Sequence, residues 1–233
     1  LTVHEQSNTC IGQAIKSDKE MIKKGRENGM FFIENKAKPR GFGGRAMLTA
    51  MNLGHKPLAA WGLGFLPKED FRVIADCGCG GGATVRALLR KYPTAKVYGV
   101  DQSELCAKRT CKTNRRAIED GRCAVFCTDV RKLPFENDRL DLVTAFETIY
   151  FRNNLSSCFE KIHNVLRPHG MFLICNECGG MTAKSRKWES RMREMTVYTG
   201  EELKSILTEC GFSDISVHTD PNDFLCVTAR KEG

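Results

Sequence analysis

Val73-Ile74-Ala75-Asp76-Cys77-Gly78-Cys79-Gly80-Gly81-Gly82-Ala83 joins a short apolar run to a cluster of glycines. A run of this kind reads as a buried strand, and the glycines after it allow a tight turn in which backbone N–H groups can approach a ligand closely. Val85, Leu88, Leu89 and Tyr92 then recur at helical spacing. The stretch therefore reads strand, loop, helix. Gly78-x-Gly80-x-x-Ala83 also satisfies the dinucleotide fingerprint, so the loop alone leaves NAD open as a ligand.

Outward from this unit, apolar runs and helical patterns alternate to the end of the chain. The runs are Val73–Cys77, Lys96–Val100, Cys123–Cys127, Leu140–Phe146, Met171–Cys175, Ile215–His218 and Phe224–Ala229. Leu155, Cys158, Phe159, Ile162, Val165 and Leu166 form an apolar helical stripe between the fourth and fifth. Before the sixth, Thr199 and Glu202 form a capping-box pattern, Leu203, Ile206, Leu207 and Cys210 supply a stripe, and Gly211 ends the helix. Alternation of this kind predicts an α/β fold, Rossmann-like, with seven strands in a mostly parallel sheet and helices on both faces. Thr219-Asp220-Pro221-Asn222-Asp223 is too short for a crossover helix, so the last two strands are predicted to form an antiparallel hairpin.

Residues 1–71 read differently. Ile11, Ile15 and Ile22 mark one side of a helix ending near Gly25, followed by the breaker-rich Pro39–Gly44, an apolar patch at Ala46–Leu53, and a Gly- and Trp-containing segment at His55–Leu66. The expectation is an N-terminal helical cap or lid over residues 1–71 and a ligand-binding domain over 72–233. A dimerisation arm, and with it a homodimer, is the alternative for the first part.

Composition narrows the class. The chain has 233 residues, 41% hydrophobic and 27% charged, as in an ordinary globular protein. No apolar run approaches the roughly 20 residues needed to cross a bilayer, and the first residues lack signal-peptide character, so the expected location is the cytoplasm with no membrane partner. Of the 12 cysteines, Cys77, Cys123, Cys127, Cys175 and Cys226 sit in strand-like runs, where a free thiol behaves as a small hydrophobe. Cys175-Asn176-Glu177-Cys178 has the spacing of a zinc or redox pair but lacks a matching second pair, so strand-end packing is favoured and no metal is expected. The net charge of +8 concentrates in Lys108, Arg109, Lys112, Arg115 and Arg116, placed on one helix, and in Lys184, Arg186, Lys187, Arg191 and Arg193. Solvated faces account for both clusters. An RNA surface would interleave stacking aromatics, and only Trp188 answers that description, so a nucleic-acid partner is not expected.

Acids at strand ends carry the ligand argument further. Asp101 closes the second strand about 20 residues beyond Gly80, where a carboxylate can accept from both ribose hydroxyls, in NAD or in any other adenosine compound. Asp129 ends the third strand, where a carboxylate can accept from an adenine amino group; capping of Arg131-Lys132-Leu133 is the alternative.

Asp76–Gly82, Val100-Asp101-Gln102-Ser103, Asp129-Val130, Leu133-Pro134-Phe135, Leu140-Asp141-Leu142-Val143, Leu166-Arg167-Pro168-His169-Gly170 and Cys210-Gly211-Phe212 occur in one order. This set strongly resembles class I S-adenosylmethionine-dependent methyltransferases over residues 72–229, closest to small-molecule enzymes of the ubiquinone/menaquinone-biosynthesis type. The resemblance implies a reversed final strand and S-adenosyl-L-methionine as cofactor. Its methionine part would lie near Asp76, Gly78, Cys79 and Gly80, with Cys79 acting through its backbone. Its ribose would lie on Asp101 beside Gln102, and its adenine near Asp129 and Val130.

Phe146-Glu147-Thr148-Ile149-Tyr150-Phe151 lies where such proteins face cofactor and acceptor, so Phe146 is assigned to the cofactor. The Asn/Asp-Pro-Pro-Tyr/Phe signature of amino-directed nucleic-acid enzymes is absent. Glu147 and Tyr150 could orient an acceptor or simply build the wall. His55, like Glu147, could remove an acceptor proton, or be structural. The reading is methyl transfer to a small molecule, with an RNA or protein acceptor as the alternative.

Overall fold

The computed structural model describes residues 56–68, 70–151, 154–180, 182 and 196–233. Residues 1–55, including His55, and the basic cluster Lys184–Arg193 with Trp188 lie outside them.

Helix α1 (Lys56–Gly64) precedes a sheet built from β1 (Val73–Cys77), β2 (Lys96–Asp101), β3 (Cys123–Cys127), β4 (Leu140–Phe146), β5 (Leu166–Asn176), β6 (Phe212–Thr219) and β7 (Leu225–Lys231). The connecting helices are α2 (Ala83–Lys91), α3 (Glu104–Thr113), α4 (Arg115–Glu119), α5 (Leu155–Val165) and α6 (Gly200–Glu209). The strand order is β3-β2-β1-β4-β5-β7-β6. Pairing is parallel from β3 to β5, while β7 runs antiparallel to both β5 and β6. The expected Rossmann-like sheet with a reversed final strand is the one observed.

Strand alternation divides the core between the two faces. Ile74, Leu142, Leu173 and Cys175 join Leu58 of α1 and Val85, Leu88 and Leu89 of α2 in one cluster. Ala75, Val143, Phe172 and Ile174 join Leu155, Phe159 and Ile162 of α5 and Leu203 and Leu207 of α6 in the other. Helices therefore cover both faces, and β4, at the centre, is buried along its whole length except at Phe146. The predicted capping box is present: Thr199 and Glu202 exchange side-chain to backbone bonds at the start of α6. Asp141 fastens the opposite end of the sheet, accepting from Arg72 N at 2.5 Å and Val73 N at 2.7 Å while pairing with Arg167 at 2.6 Å.

Two expectations are corrected. Asn114 divides the basic helix, placing Lys108, Arg109 and Lys112 on α3 but Arg115 and Arg116 on α4. Its side-chain amide donates to Gly82 O and Thr110 O, both at 3.1 Å, so this turn is held by the glycine loop. Secondly, β5 begins at Leu166 rather than Met171. Leu166 pairs with Leu140 before a register irregularity, with His169 at φ 61°, and pairing resumes at Met171. Among the described residues, no helix is long and apolar enough to cross a membrane.

Candidate cofactor and acceptor site

The carboxyl ends of the parallel strands form the crevice in which ligands of doubly wound sheets bind. There the glycine loop is fixed from beneath and from both sides. Gly78 N and Cys79 N donate to Val100 O at 2.7 and 3.0 Å, and Gly80 N donates to Asp101 Oδ2 at 3.0 Å. Thr110 Oγ1 donates to Gly80 O at 2.9 Å. Gly78 (φ 84°) has no room for a side chain, since a Cβ there would lie 2.6 Å from Thr148 Cβ. Cys79 turns its thiol inward to Thr110 Oγ1 at 3.4 Å, which leaves the loop backbone as the ligand-facing surface.

Asp101 is a joint as well as a candidate ribose acceptor: its second oxygen accepts from Ser103 N at 2.9 Å. Gln102 beside it is exposed. Asp129 makes the capping bond that was its alternative reading, accepting from Arg131 N at 2.9 Å and pairing with the Arg131 guanidinium at 2.8 Å. Val130 is buried in the core, so any adenine contact from it is a backbone contact.

Asp76 is buried, and Thr144 Oγ1 donates to its Oδ1 at 2.7 Å. Burial pushes its carboxyl from 3.8 up to about 7; the Thr144 bond opposes this and the charge on Asp101 adds to it. The folded state therefore holds the Asp76 proton more tightly than the unfolded chain. Its stabilising contribution is full below about pH 4 and is lost as pH rises through about 7. Without ligand, the wild type is expected to lose on the order of 4 kcal/mol across this window relative to Asp76→Asn. Thermal unfolding of both proteins from acid to neutral pH measures it, and parallel pH profiles would refute the buried-acid assignment.

Past β4, Glu147 adopts φ 56°. The other non-glycine residues with positive φ among those described are Asp, Asn or His, which tolerate this region; a glutamate there is held by its surroundings. The constraint is visible: Glu147 Oε1 accepts from Tyr150 Oη at 3.1 Å and from Glu177 N, and Cys178 N donates to Tyr150 Oη at 2.9 Å. Burial, with Glu147 nearby, raises the Tyr150 hydroxyl far above its ordinary value and keeps it protonated. Tyr150 thus holds Glu147 in place and is not a proton acceptor at neutral pH. Phe146, Glu147 and Thr148 are half-buried along the rim.

Cys175 and Cys178 are not drawn together as a ligand pair. The Cys175 thiol faces Leu58 O of α1 at 3.8 Å, whereas Cys178 packs with Tyr150 and Val197. Among the described residues no group of three His, Cys, Asp or Glu side chains is placed to hold a metal. Sequence reading did not find Thr144, Thr148, Thr110, Asn114 or Asn176. The first four are defined by contacts between segments far apart in sequence and have no local signature. Asn176, at the end of β5, is fully buried, and neither polar atom of its side chain has a partner among the described residues.

The sheet order and glycine loop define a doubly wound α/β fold, and comparison with known proteins shows which of them it resembles. Residues 75–174 match the model of the methyltransferase domain family. Over 162 residues, 65% of this chain and 45% of the relative, the chain is 26% identical to the mitochondrial arginine-hydroxylase NDUFAF5 of Mus musculus. It is 30% identical over 124 residues to cycloartenol-C-24-methyltransferase 1 of Oryza sativa subsp. japonica, covering 53% of this chain and 35% of that one. The chain thus spans less than half the length of these two relatives. Among solved structures, a chain from the complex between the Haloferax volcanii Trm112 methyltransferase activator and a methyltransferase superposes with a TM-score of 0.72 at 17% identity, covering 89% of this chain and 100% of that one. Residues 75–174 are thus similar to a methyltransferase domain, and the fold is that of solved methyltransferases.

Proposed function

We propose that the protein transfers a methyl group from S-adenosylmethionine to a small-molecule acceptor held over the carboxyl ends of β4 and β5. The observation that carries this reading is the glycine loop, pinned to Asp101 and packed on Thr148 so tightly that only backbone faces the crevice. The residues fit the cofactor. The backbone of Gly78, Cys79 and Gly80, with the acid of Asp76, receives its methionine part; Asp101 and Gln102 receive its ribose; Asp129 and the Val130 backbone receive its adenine. Phe146 walls the reacting end.

The cofactor supplies a methyl group already activated on a sulfonium, so no catalytic base is obligatory. The chain's task is to align the acceptor and exclude water. Glu147, held by Tyr150, orients the acceptor, and Glu147 or His55 removes a proton where the acceptor is a phenol or thiol. Residues 1–71 contain the lid, and α1 is its fixed base: Leu58 is buried in the core cluster of the sheet, and a Cβ on Gly62 would lie 3.0 Å from Phe146 Cε1.

Because one relative is named for hydroxylation, the test must detect the methyl group itself. Calorimetric titration is expected to show binding of adenosylmethionine and its demethylated product but not of NAD. Mass spectrometry should then find a methylated small molecule after screening. Methylation of tRNA or protein instead would select the macromolecular alternative, and binding of NAD with no response to adenosylmethionine would reject the reading. Deleting residues 1–45 is expected to preserve weaker cofactor binding and abolish small-molecule activity; full activity in the truncated protein would remove the lid from the account.

A further inference from the structure

We propose that Asn176 binds a neutral hydroxyl group of the methyl acceptor, which makes the acceptor an alcohol or phenol of otherwise apolar character. The inference rests on the methyl-transfer reading above and deepens it.

Strand alternation sends the Cys175 side chain toward α1 and that of Asn176 to the opposite face, where Ile174 and Leu225 belong to the apolar core. Leu225 is also its direct partner across β7. An amide placed among such residues costs more than it returns unless it is hydrogen-bonded, which is why buried polar groups almost always are. The surroundings obey that rule. Just beyond Asn176, Glu177 N donates to Glu147 Oε1, Cys178 N to Tyr150 Oη at 2.9 Å, and Gly179 N to Asp223 O at 2.9 Å. Each of these backbone donors has been given an acceptor. The Asn176 side chain, whose Oδ1 and Nδ2 are both buried, has none among the described residues.

Its position gives the unpartnered amide a use. Asn176 is the last residue of β5, one residue below the half-buried Glu177, and follows the Phe146–Cys175 pair, which sets it beside Glu147, whose N donates to Cys175 O at 2.9 Å. This is the end of the sheet on which the acceptor reading stands.

The chemistry of the partner follows from the donors and acceptors. A carboxamide offers N–H donors and a carbonyl acceptor, so a complementary group must accept and donate at once. A hydroxyl does so with a single atom. A carboxylate or phosphate only accepts; it would leave Oδ1 unmet and add negative charge close to Glu147 and Glu177. An ammonium only donates and would leave Nδ2 unmet. The apolar setting of Ile174 and Leu225 favours a hydrocarbon body behind the hydroxyl.

The full chain, labelled with ¹⁵N-asparagine and saturated with S-adenosylhomocysteine, is titrated with phenol and cyclohexanol and, as matched controls, toluene and methylcyclohexane. The Asn176 side-chain resonances are identified by their absence from Asn176→Leu. Both alcohols are expected to shift them and both hydrocarbons to leave them in place. Asn176→Leu is expected to unfold at a higher temperature, bind S-adenosylhomocysteine within about twofold of wild type, and bind the alcohols at least tenfold more weakly. The inference is overturned if the alcohols leave the Asn176 amide unmoved in the wild type. It is equally overturned if Asn176→Leu binds the alcohols normally, or if it melts lower, as it would had the amide been satisfied within the protein. These failures would leave S-adenosylhomocysteine binding intact. A wild type that does not bind S-adenosylhomocysteine would instead remove the methyl-transfer reading itself.

Discussion

Replacing Asp101 with alanine is expected to weaken adenosylmethionine binding by at least about a hundredfold and to lower the stability of the unliganded protein as well. Two ribose hydroxyls would lose a charged acceptor, and hydrogen bonds to charged groups contribute roughly 1.5–3 kcal/mol each. At about 1.4 kcal/mol per tenfold, two such bonds account for that factor or more. Considered only as a ribose ligand, Asp101 would be dispensable for folding. It also holds the loop to the helix beyond it, through Gly80 N at 3.0 Å and Ser103 N at 2.9 Å. Removing the acceptor leaves these partly buried donors unmet, at a cost of roughly 1–3 kcal/mol. Asp101→Asn keeps one oxygen and should retain part of the stability with little of the affinity. Calorimetry together with thermal unfolding separates the two effects. An alanine variant with wild-type cofactor affinity would show that the ribose lies elsewhere.

An effect of similar size is expected at Gly78, from sterics rather than charge. At φ 84° any L side chain is strained, and a Cβ would lie 2.6 Å from Thr148 Cβ. Gly78→Val therefore combines a left-handed backbone penalty of roughly 1–2 kcal/mol with overpacking of typically about 1–3 kcal/mol. The loop can relieve the clash only by moving away from Thr148, which strains its bonds to Val100 O and Asp101 and displaces the backbone surface that faces the crevice. The expected result is a folded protein with a lowered melting temperature and no measurable cofactor binding. Combining Gly78→Val with Thr148→Gly should restore part of the stability, because the collision is removed while the backbone strain remains. A double-mutant cycle measures that coupling. Additive effects would mean that the two residues do not press on each other.

The parts of this architecture legible in the sequence are those whose cause is local. The Val73–Ala83 unit, the Thr199/Glu202 cap and the turn at Thr219–Asp223 each carry their signal within a few residues, and all three stand in the structure. Pro168 and Gly170 hid the start of β5, because they read as breakers; pairing of Leu166 with Leu140 overrides them. Asn114 looks like any polar helix residue until its amide is seen on Gly82 O. At the site, Asp76 could be named from the loop, but its shifted acidity could not. Thr144 lies opposite it on β4 only because of the register of two strands far apart in sequence. In the sequence, Glu147 and Tyr150 are marked by position alone. Their bond to each other and to the end of β5 explains why both are present.

The place of β7 between β5 and β6 also sets an order of assembly. Leu225–Lys231 is the last of the described strands, yet both of its neighbours depend on it for backbone partners. During synthesis, β1 to β5 can pair as they emerge, whereas β6 leaves the ribosome with no neighbour to join, and β5 keeps one open edge. That edge is apolar and unprotected, a template for pairing between nascent chains. The sheet closes only when Leu225–Lys231 threads into the gap, so a stop codon at or before Leu225 would remove one strand by sequence and two by structure. Such a chain is expected to aggregate rather than to fold into a smaller domain.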